Sequence, residues 1–218
     1  MNNLIEHVEL SIQNAIDNIS KINNDVINVE GMTGIKTRHL YNNICSYKKS
    51  NNEKLKYLEI GTWKGSSLIS ALYKNEENVL CTFIDNFSEF NPEGNIKTVL
   101  FNNLHNILKK NIENKFQFID KDCFSINLNE LIYDKYDVYL YDGGHSSENH
   151  IKAITYFWES LSDECVIIID DWCHHHIREA TFKSFSEKNA HIIYMKEIQN
   201  PSGPYGFWDG CGIFIIKK

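Results

Sequence analysis

Basic runs, long apolar runs and paired cysteines are all missing from this sequence, and each absence removes a class of function. Lys and Arg number 22 against 29 Asp and Glu, giving the 218-residue chain a formal charge of -7. No basic cluster is long enough to follow a phosphate backbone, so nucleic acid is not expected as a partner. No apolar stretch approaches the roughly 20 residues that a membrane-spanning helix needs. The opening MNNLIEHVELS lacks the basic start and apolar middle of a secretion signal, and the expectation is a soluble cytoplasmic protein with no membrane partner. The six cysteines (Cys45, Cys81, Cys123, Cys165, Cys173 and Cys211) are scattered without a C-x-x-C pair. That pattern suggests reduced thiols rather than a zinc site or a disulfide framework.

What is present is a periodic pattern that changes near residue 53. Leu4, Ile5, Val8, Ile12, Ile16 and Ile19 recur at helical spacing, and Ile35, Leu40 and Ile44 suggest a second, short helix. Residues 1–52 thus read as a helical extension, either a cap over a pocket with Gly31 to Ile35 near the ligand, or an oligomer contact that would make the chain a homo-oligomer. Residues 53–218 read as the main domain. There, strand-like runs KYLEIG, VLCTFID, FQFID, YDVYLYD, CVIIID, HIIYM and GIFII are separated by helical patterns over 66–74, 95–110, 147–161 and 176–187. A further helix candidate lies between Cys123 and Tyr133. Apolar strands alternating with helices predict an α/β fold with a parallel sheet covered on both faces. The last two strands, joined by a Pro- and Gly-containing loop without helical period, are expected to pair antiparallel at the sheet edge.

In such sheets ligands lie beyond the carboxyl ends of the strands. The first strand ends Glu59-Ile60-Gly61, with Gly65 four residues on. Neither a dinucleotide fingerprint nor a phosphate-binding P-loop fits, because Trp63 and Ser66 stand where the first would need glycine and the spacing of the second is absent. What fits is a tight turn over which a ligand can lie, a helix start at Gly65-Ser66-Ser67 that attracts a carboxylate, and Glu59 to attract a cation. A zwitterion such as an amino acid bearing a nucleoside suits both ends, although the same glycines also serve an ordinary strand-to-helix turn. Asp85, at the tip of the second strand, is placed to accept hydrogen bonds from ribose hydroxyls, and Asp122, Cys123 and Phe124 follow the third strand where an adenine slot would lie. The fourth and fifth strands end in YDGGHSS and IDDW, so Asp142, Asp170 and Asp171 meet at the pocket mouth. Their mutual repulsion is relieved by a hard divalent cation; capping of helices and turns is the alternative use of the same residues.

The ordered set LEIGTWKG, FIDNF, YLYDGGHSS and VIIIDDW, over residues 56–218, resembles the class I S-adenosylmethionine-dependent methyltransferases, and among them the metal-dependent small-molecule O-methyltransferases of the catechol and macrolide-sugar types. The resemblance implies a Rossmann-like three-layer sandwich whose seven-stranded, mostly parallel sheet has an antiparallel last strand. It implies S-adenosyl-L-methionine held by Glu59, Gly61, Thr62, Trp63, Gly65, Ser66, Ser67, Asp85, Asn86, Asp122, Cys123 and Asp142, with Mg2+ or another hard cation on Asp142, Asp170 and Asp171. His145 falls where that family places its general base, and the partner is a small molecule bearing a hydroxyl. Metal-dependent oxidation of the cephalosporin-hydroxylase type ranks lower, because the histidines do not form a 2-His-1-carboxylate set. A non-catalytic binding module is the remaining alternative. His174-His175-His176 cannot converge on one ion from a single helix or strand and reads as a solvated helix start, with one ring free to reach the pocket. His150 is off-phase and reads as structural. NPSGPY at 200–205 is similar to a base-methylating signature, but it follows the wrong strand for that role; the 197–210 loop with Tyr205, Phe207 and Trp208 is expected to form a substrate wall or lid.

Overall fold

The computed structural model describes residues 3–50, 52–108, 116–199 and 202–218. Three helices, α1 (Asn3–Ile16), α2 (Asn24–Ile27) and α3 (Ile35–Ile44), precede the alternating part of the chain. There follow β1 (Leu55–Ile60), α4 (Ser66–Leu72), β2 (Val79–Ile84), α5 (Ile96–Leu108), β3 (Phe116–Ile119), β4 (Tyr136–Tyr141), α6 (Ser147–Phe157), β5 (Leu161–Asp170), α7 (His175–Glu187), β6 (His191–Ile198) and β7 (Cys211–Lys217). All seven anticipated strands form. No helix among the described residues is long and apolar enough to cross a membrane.

The strands make one sheet in the order β3-β2-β1-β4-β5-β7-β6, parallel except for β7, which runs antiparallel to both its neighbours. Burial explains why the last strand inserts rather than adds at the edge. Cys211 to Ile216 of β7 are all buried, whereas no residue of β6 is fully buried and His191, Met195 and Lys196 are exposed. The half-polar strand therefore takes the edge, where charged side chains discourage pairing with other chains.

Each face carries its own apolar layer. On one, Leu68, Leu72, Val138 and Ile168 share a cluster with Val8, Ile12, Ala15, Val26, Leu40 and Ile44 of the N-terminal helices. The helical extension is thus packed into the main core, with Leu10, Ile16 and Ile19 left exposed. Asn42 fixes it, donating from Nδ2 to the carbonyls of Ser70 (2.8 Å) and Tyr73 (2.9 Å). On the other face, Tyr139, Tyr141, Phe157, Trp172 and Phe214 pack with α6 and α7.

Two anticipated helices differ from expectation. Between Cys123 and Tyr133 only a single 3-10 turn forms, Leu128–Glu130, because Asn127 and Glu130 close a capping box that satisfies the local amides without further helix. The 147–161 pattern is helical only to Phe157; after a 3-10 turn at Trp158–Ser160 the chain enters β5. Residues 109–110 of the 95–110 helix lie outside the described residues.

Strand order reverses between β1 and β4. Their tips are bonded together, with Asp142 N donating to Ile60 O at 2.9 Å, and Gly61 N donating across to Ile84 O of β2 at 3.0 Å. The glycine turn and the β4 acid therefore share the crevice where parallel sheets collect ligands.

Candidate active site

A cavity of about 320 Å³ opens at these tips. Its floor depends on Gly61: the backbone there has φ +82°, and a Cβ would lie 1.8 Å from the carbonyl oxygen of Asp142. Only glycine lets the two strand ends approach so closely. Trp63 follows in the same left-handed region with φ 43°. The turn is held by Asp85, whose Oδ2 accepts from the amides of Thr62 and Trp63, each at 2.8 Å, and whose Oδ1 accepts from Phe87 N at 2.7 Å.

Of the residues anticipated to hold a ligand, Gly61, Thr62, Trp63, Ser66, Ser67, Asp85, Asn86, Asp122, Cys123 and Asp142 all line the cavity, as do Phe124, His145, Asp170 and Asp171. Glu59 and Gly65 do not. Glu59 is fully buried, accepting from Tyr57 Oη at 2.5 Å and Ser67 Oγ at 2.6 Å. Burial pushes its carboxyl up to about 7, against the opposing effect of those two hydroxyls. The expectation that it attracts a ligand's cation is corrected accordingly: its acceptors are used inside the protein. Gly65 serves packing, since a Cβ there would meet Leu100 Cδ1 at 2.5 Å.

The other end of the cavity is acidic. Asp142, His145 and Asp171 offer ligand atoms that lie within 4.8 Å of one another, and Asp171, His174 and Asp209 form a second such group. His145 Nε2 stands 3.0 Å from Asp171 Oδ2. Asp171 itself has φ 56°, a conformation more tolerable for Asp than for most residues, which turns it off the end of β5. Asp170 lies outside both groups, only 8% exposed, and its Oδ1 has no donor partner. It meets the carboxyl of Asp142, and both acids are pushed well above the usual carboxylate range, first by burial and then by neighbouring negative charge. Two carboxyls in contact need a proton or a cation between them.

The remaining histidines fall as their patterns suggest. α7 starts at His175, and the Nε2–H of His176 donates to the carbonyl of His145 at 2.9 Å, fixing the backbone beneath that imidazole. His150 is buried edge-on to Tyr141 with both nitrogens unpartnered, and burial depresses it to about 3.

Two loops close the site. From the N-terminal helices, Met32 and Thr33 line the cavity, with Thr33 Oγ1 2.8 Å from Ser66 Oγ. From the β6–β7 loop come Trp208 and Asp209, while Phe207 turns into the core and Tyr205 points outward at 80% exposure. Asn200 and Pro201 of that loop lie outside the described residues. Sequence reasoning missed Glu89, Phe90, Asn149 and Asp209. The only signal for Glu89 and Asp209 is an acid next to an aromatic residue in a loop, too common to act on alone.

The sequence model of the family described as Methyltransferase domain matches residues 58–172. Among curated proteins no sequence match is found. In fold, the chain is similar to a putative caffeoyl-CoA O-methyltransferase from Staphylococcus aureus, at 15% identity and TM-score 0.56, covering 100% of this chain and 93% of that one. It is similar also to the O-methyltransferase NovP, at 14% identity and TM-score 0.60, covering 99% and 100%. A third similar structure is an O-methyltransferase from Bacillus cereus in complex with SAH, at 11% identity and TM-score 0.62, covering 99% and 100%.

Proposed function

The chain belongs to the Methyltransferase domain family, and from that premise we propose that it transfers a methyl group from S-adenosyl-L-methionine to a hydroxyl oxygen of a small molecule, with a hard divalent cation such as Mg2+ at the acidic end of the cavity. The observation that carries this reading is the meeting, in one cavity, of the Gly61 turn with Asp142, His145 and Asp171.

The donor's amino-acid and nucleoside parts suit the turn over Gly61 and the wall formed by Asp85, Asp122 and Cys123. The O-methyltransferase bound to SAH supports that assignment by its shared fold. In the reaction the S–CH3 bond breaks as the O–CH3 bond forms, and the acceptor hydroxyl loses its proton. His145 is the group placed to take it. With Nε2–H donating to the Asp171 carboxylate, Nδ1 carries the lone pair; Asp171 orients the ring while His176 holds the main chain of His145.

The side chains fit a hard cation on two grounds: Asp142 and Asp171 offer carboxylate oxygens within 4.8 Å of each other, and beside Asp142 the Asp170 Oδ1 is a buried acceptor lacking a donor. Asp142, Asp170 and Asp171 would hold it. A cation there supplies Lewis-acid polarisation of an acceptor oxygen. Holding acceptor and donor in line contributes roughly 7 to 11 kcal/mol toward the barrier in well-oriented reactions, and that is the task of the cavity walls.

The reading is tested by incubating the protein with methyl-labelled S-adenosylmethionine, Mg2+ and a panel of hydroxylated small molecules, and by titrating S-adenosylhomocysteine calorimetrically. Saturable binding and label in an ether product are expected. Absence of any heat with S-adenosylhomocysteine would sink the assignment.

A further inference from the structure

Strand alternation decides which face the acid pair meets. Leu140 of β4 and Ile168 of β5 belong to the apolar cluster that the N-terminal helices cover, and side chains two residues apart on a strand share a face. Asp170, two residues after Ile168, therefore projects toward those helices. Its partner in register across the antiparallel β5–β7 pair is Cys211, which lies in the same cluster. Asp142 stands two residues after Leu140 and meets the Asp170 carboxyl.

From the helices comes Tyr41 of α3, a member of that cluster and only 2% exposed. Its hydroxyl has no hydrogen-bond partner among the described residues. Burial first, then the negative charge of Asp170, followed by Cys211, Asp142 and Glu59, pushes the phenol well above its usual range, so it remains a proton donor at neutral pH. A buried donor without an acceptor thus shares one layer with a buried acceptor without a donor, Asp170 Oδ1. Each such group costs stability while unpaired, and two of complementary kind at one place call for a reason.

The acid pair supplies one. Without a cation the two carboxyls share a proton, and Asp170 needs no further donor. A carboxylate that ligates a metal is instead ionised and is in turn hydrogen-bonded from outside the ligand shell. It has about four lone-pair sites, so one can take a phenol while others face the ion. Given the cation of the methyl-transfer reading, on which this inference rests, we propose that Tyr41 is its positioning residue: Oη–H donates to the Asp170 carboxylate, directly or across one water, and holds that carboxylate turned toward the ion.

The test is a titration of Mn2+ into full-length wild type, Tyr41→Phe and Tyr139→Phe, read by the electron paramagnetic resonance signal of the free ion, with thermal melts of each protein in a chelator. Tyr139→Phe is the structural control, because it deletes a buried hydroxyl on the opposite face that donates to Ala153 O at 2.9 Å. Tyr41→Phe is expected to weaken Mn2+ binding about tenfold to a hundredfold, and to melt in the chelator no lower than the wild type, since it removes only an unpaired hydroxyl. Tyr139→Phe should melt lower and bind Mn2+ as the wild type does. An unchanged Kd in Tyr41→Phe, an equal weakening in both variants, or a melting temperature lowered in Tyr41→Phe as in the control would each overturn the proposal while leaving the cation reading intact. No Mn2+ binding by the wild type would overturn both, and the separate S-adenosylhomocysteine titration decides methyl transfer independently.

Discussion

Two buried acidic sites sit at neighbouring strand tips and are treated in opposite ways. At the end of β1, Glu59 is surrounded by donors, with Tyr57 and Ser67 filling its oxygens. At the ends of β4 and β5, Asp142 and Asp170 face one another and Asp170 Oδ1 is left without a donor. The first is a finished structure. The second leaves a buried acceptor unfilled, and an unfilled buried polar group is the more informative mark of a candidate ligand site.

Substitutions can break this contrast. The largest effect is expected at the unfinished end: His145→Ala should lower kcat by about 10² to 10⁴ while leaving S-adenosylhomocysteine affinity and the melting temperature unchanged, read by label transfer, calorimetry and thermal denaturation. Next comes Glu59. Its folded-state value near 7 exceeds the ordinary 4.5, so the native state binds more protons than the unfolded chain between those values. Its contribution is full below about 4.5 and is lost as pH rises toward 7, a change on the order of 3 kcal/mol. Glu59→Gln should flatten that dependence, which denaturant melts from pH 4.5 to 8 would show; an unaltered profile would mean that the acid is ionised throughout.

Asp170→Asn probes the other site directly. The wild type should gain about 2.7 kcal/mol from a divalent cation at a hundred times its Kd. The variant should gain little, and should be the more stable of the two in a chelator at pH 8, where the acid pair is costly. Tyr205→Ala is the control at the small end. An 80% exposed ring outside the cavity should change stability by no more than about 0.5 kcal/mol.

The contrast also explains what could be read from sequence. Strand tips were legible because apolar runs such as VLCTFI and VIII stop abruptly at acids, and the topology then places the tips of the parallel strands along one edge. That brought Asp85, Asp122, Asp142 and Asp171 to the cavity as expected. Whether an acid at a tip faces the ligand or the core was not legible: Glu59 turns inward because Tyr57, two residues before it, and Ser67, in the next helix, supply hydroxyls at the right place, a fact of three-dimensional packing. The N-terminal helices showed their periodicity but not what they cover, since an apolar stripe does not name its partner. Glu89 and Asp209 lie in loops, where no repeat fixes the direction of a side chain. The helix candidate after Cys123 failed because one capping box, Asn127 with Glu130, decided the local structure against a pattern with little propensity behind it.

The start of α3 and the β6–β7 loop are stitched by main-chain bonds, Ile35 N to Pro204 O at 2.8 Å and Lys36 N to Gly206 O at 2.9 Å. Gly34 sits so tightly between them that a Cβ would come within 2.2 Å of Gly206 O. The two segments that close the cavity are therefore one piece of cloth, sewn from opposite ends of the chain, and trimming the amino terminus is expected to loosen the distant β6–β7 loop as well.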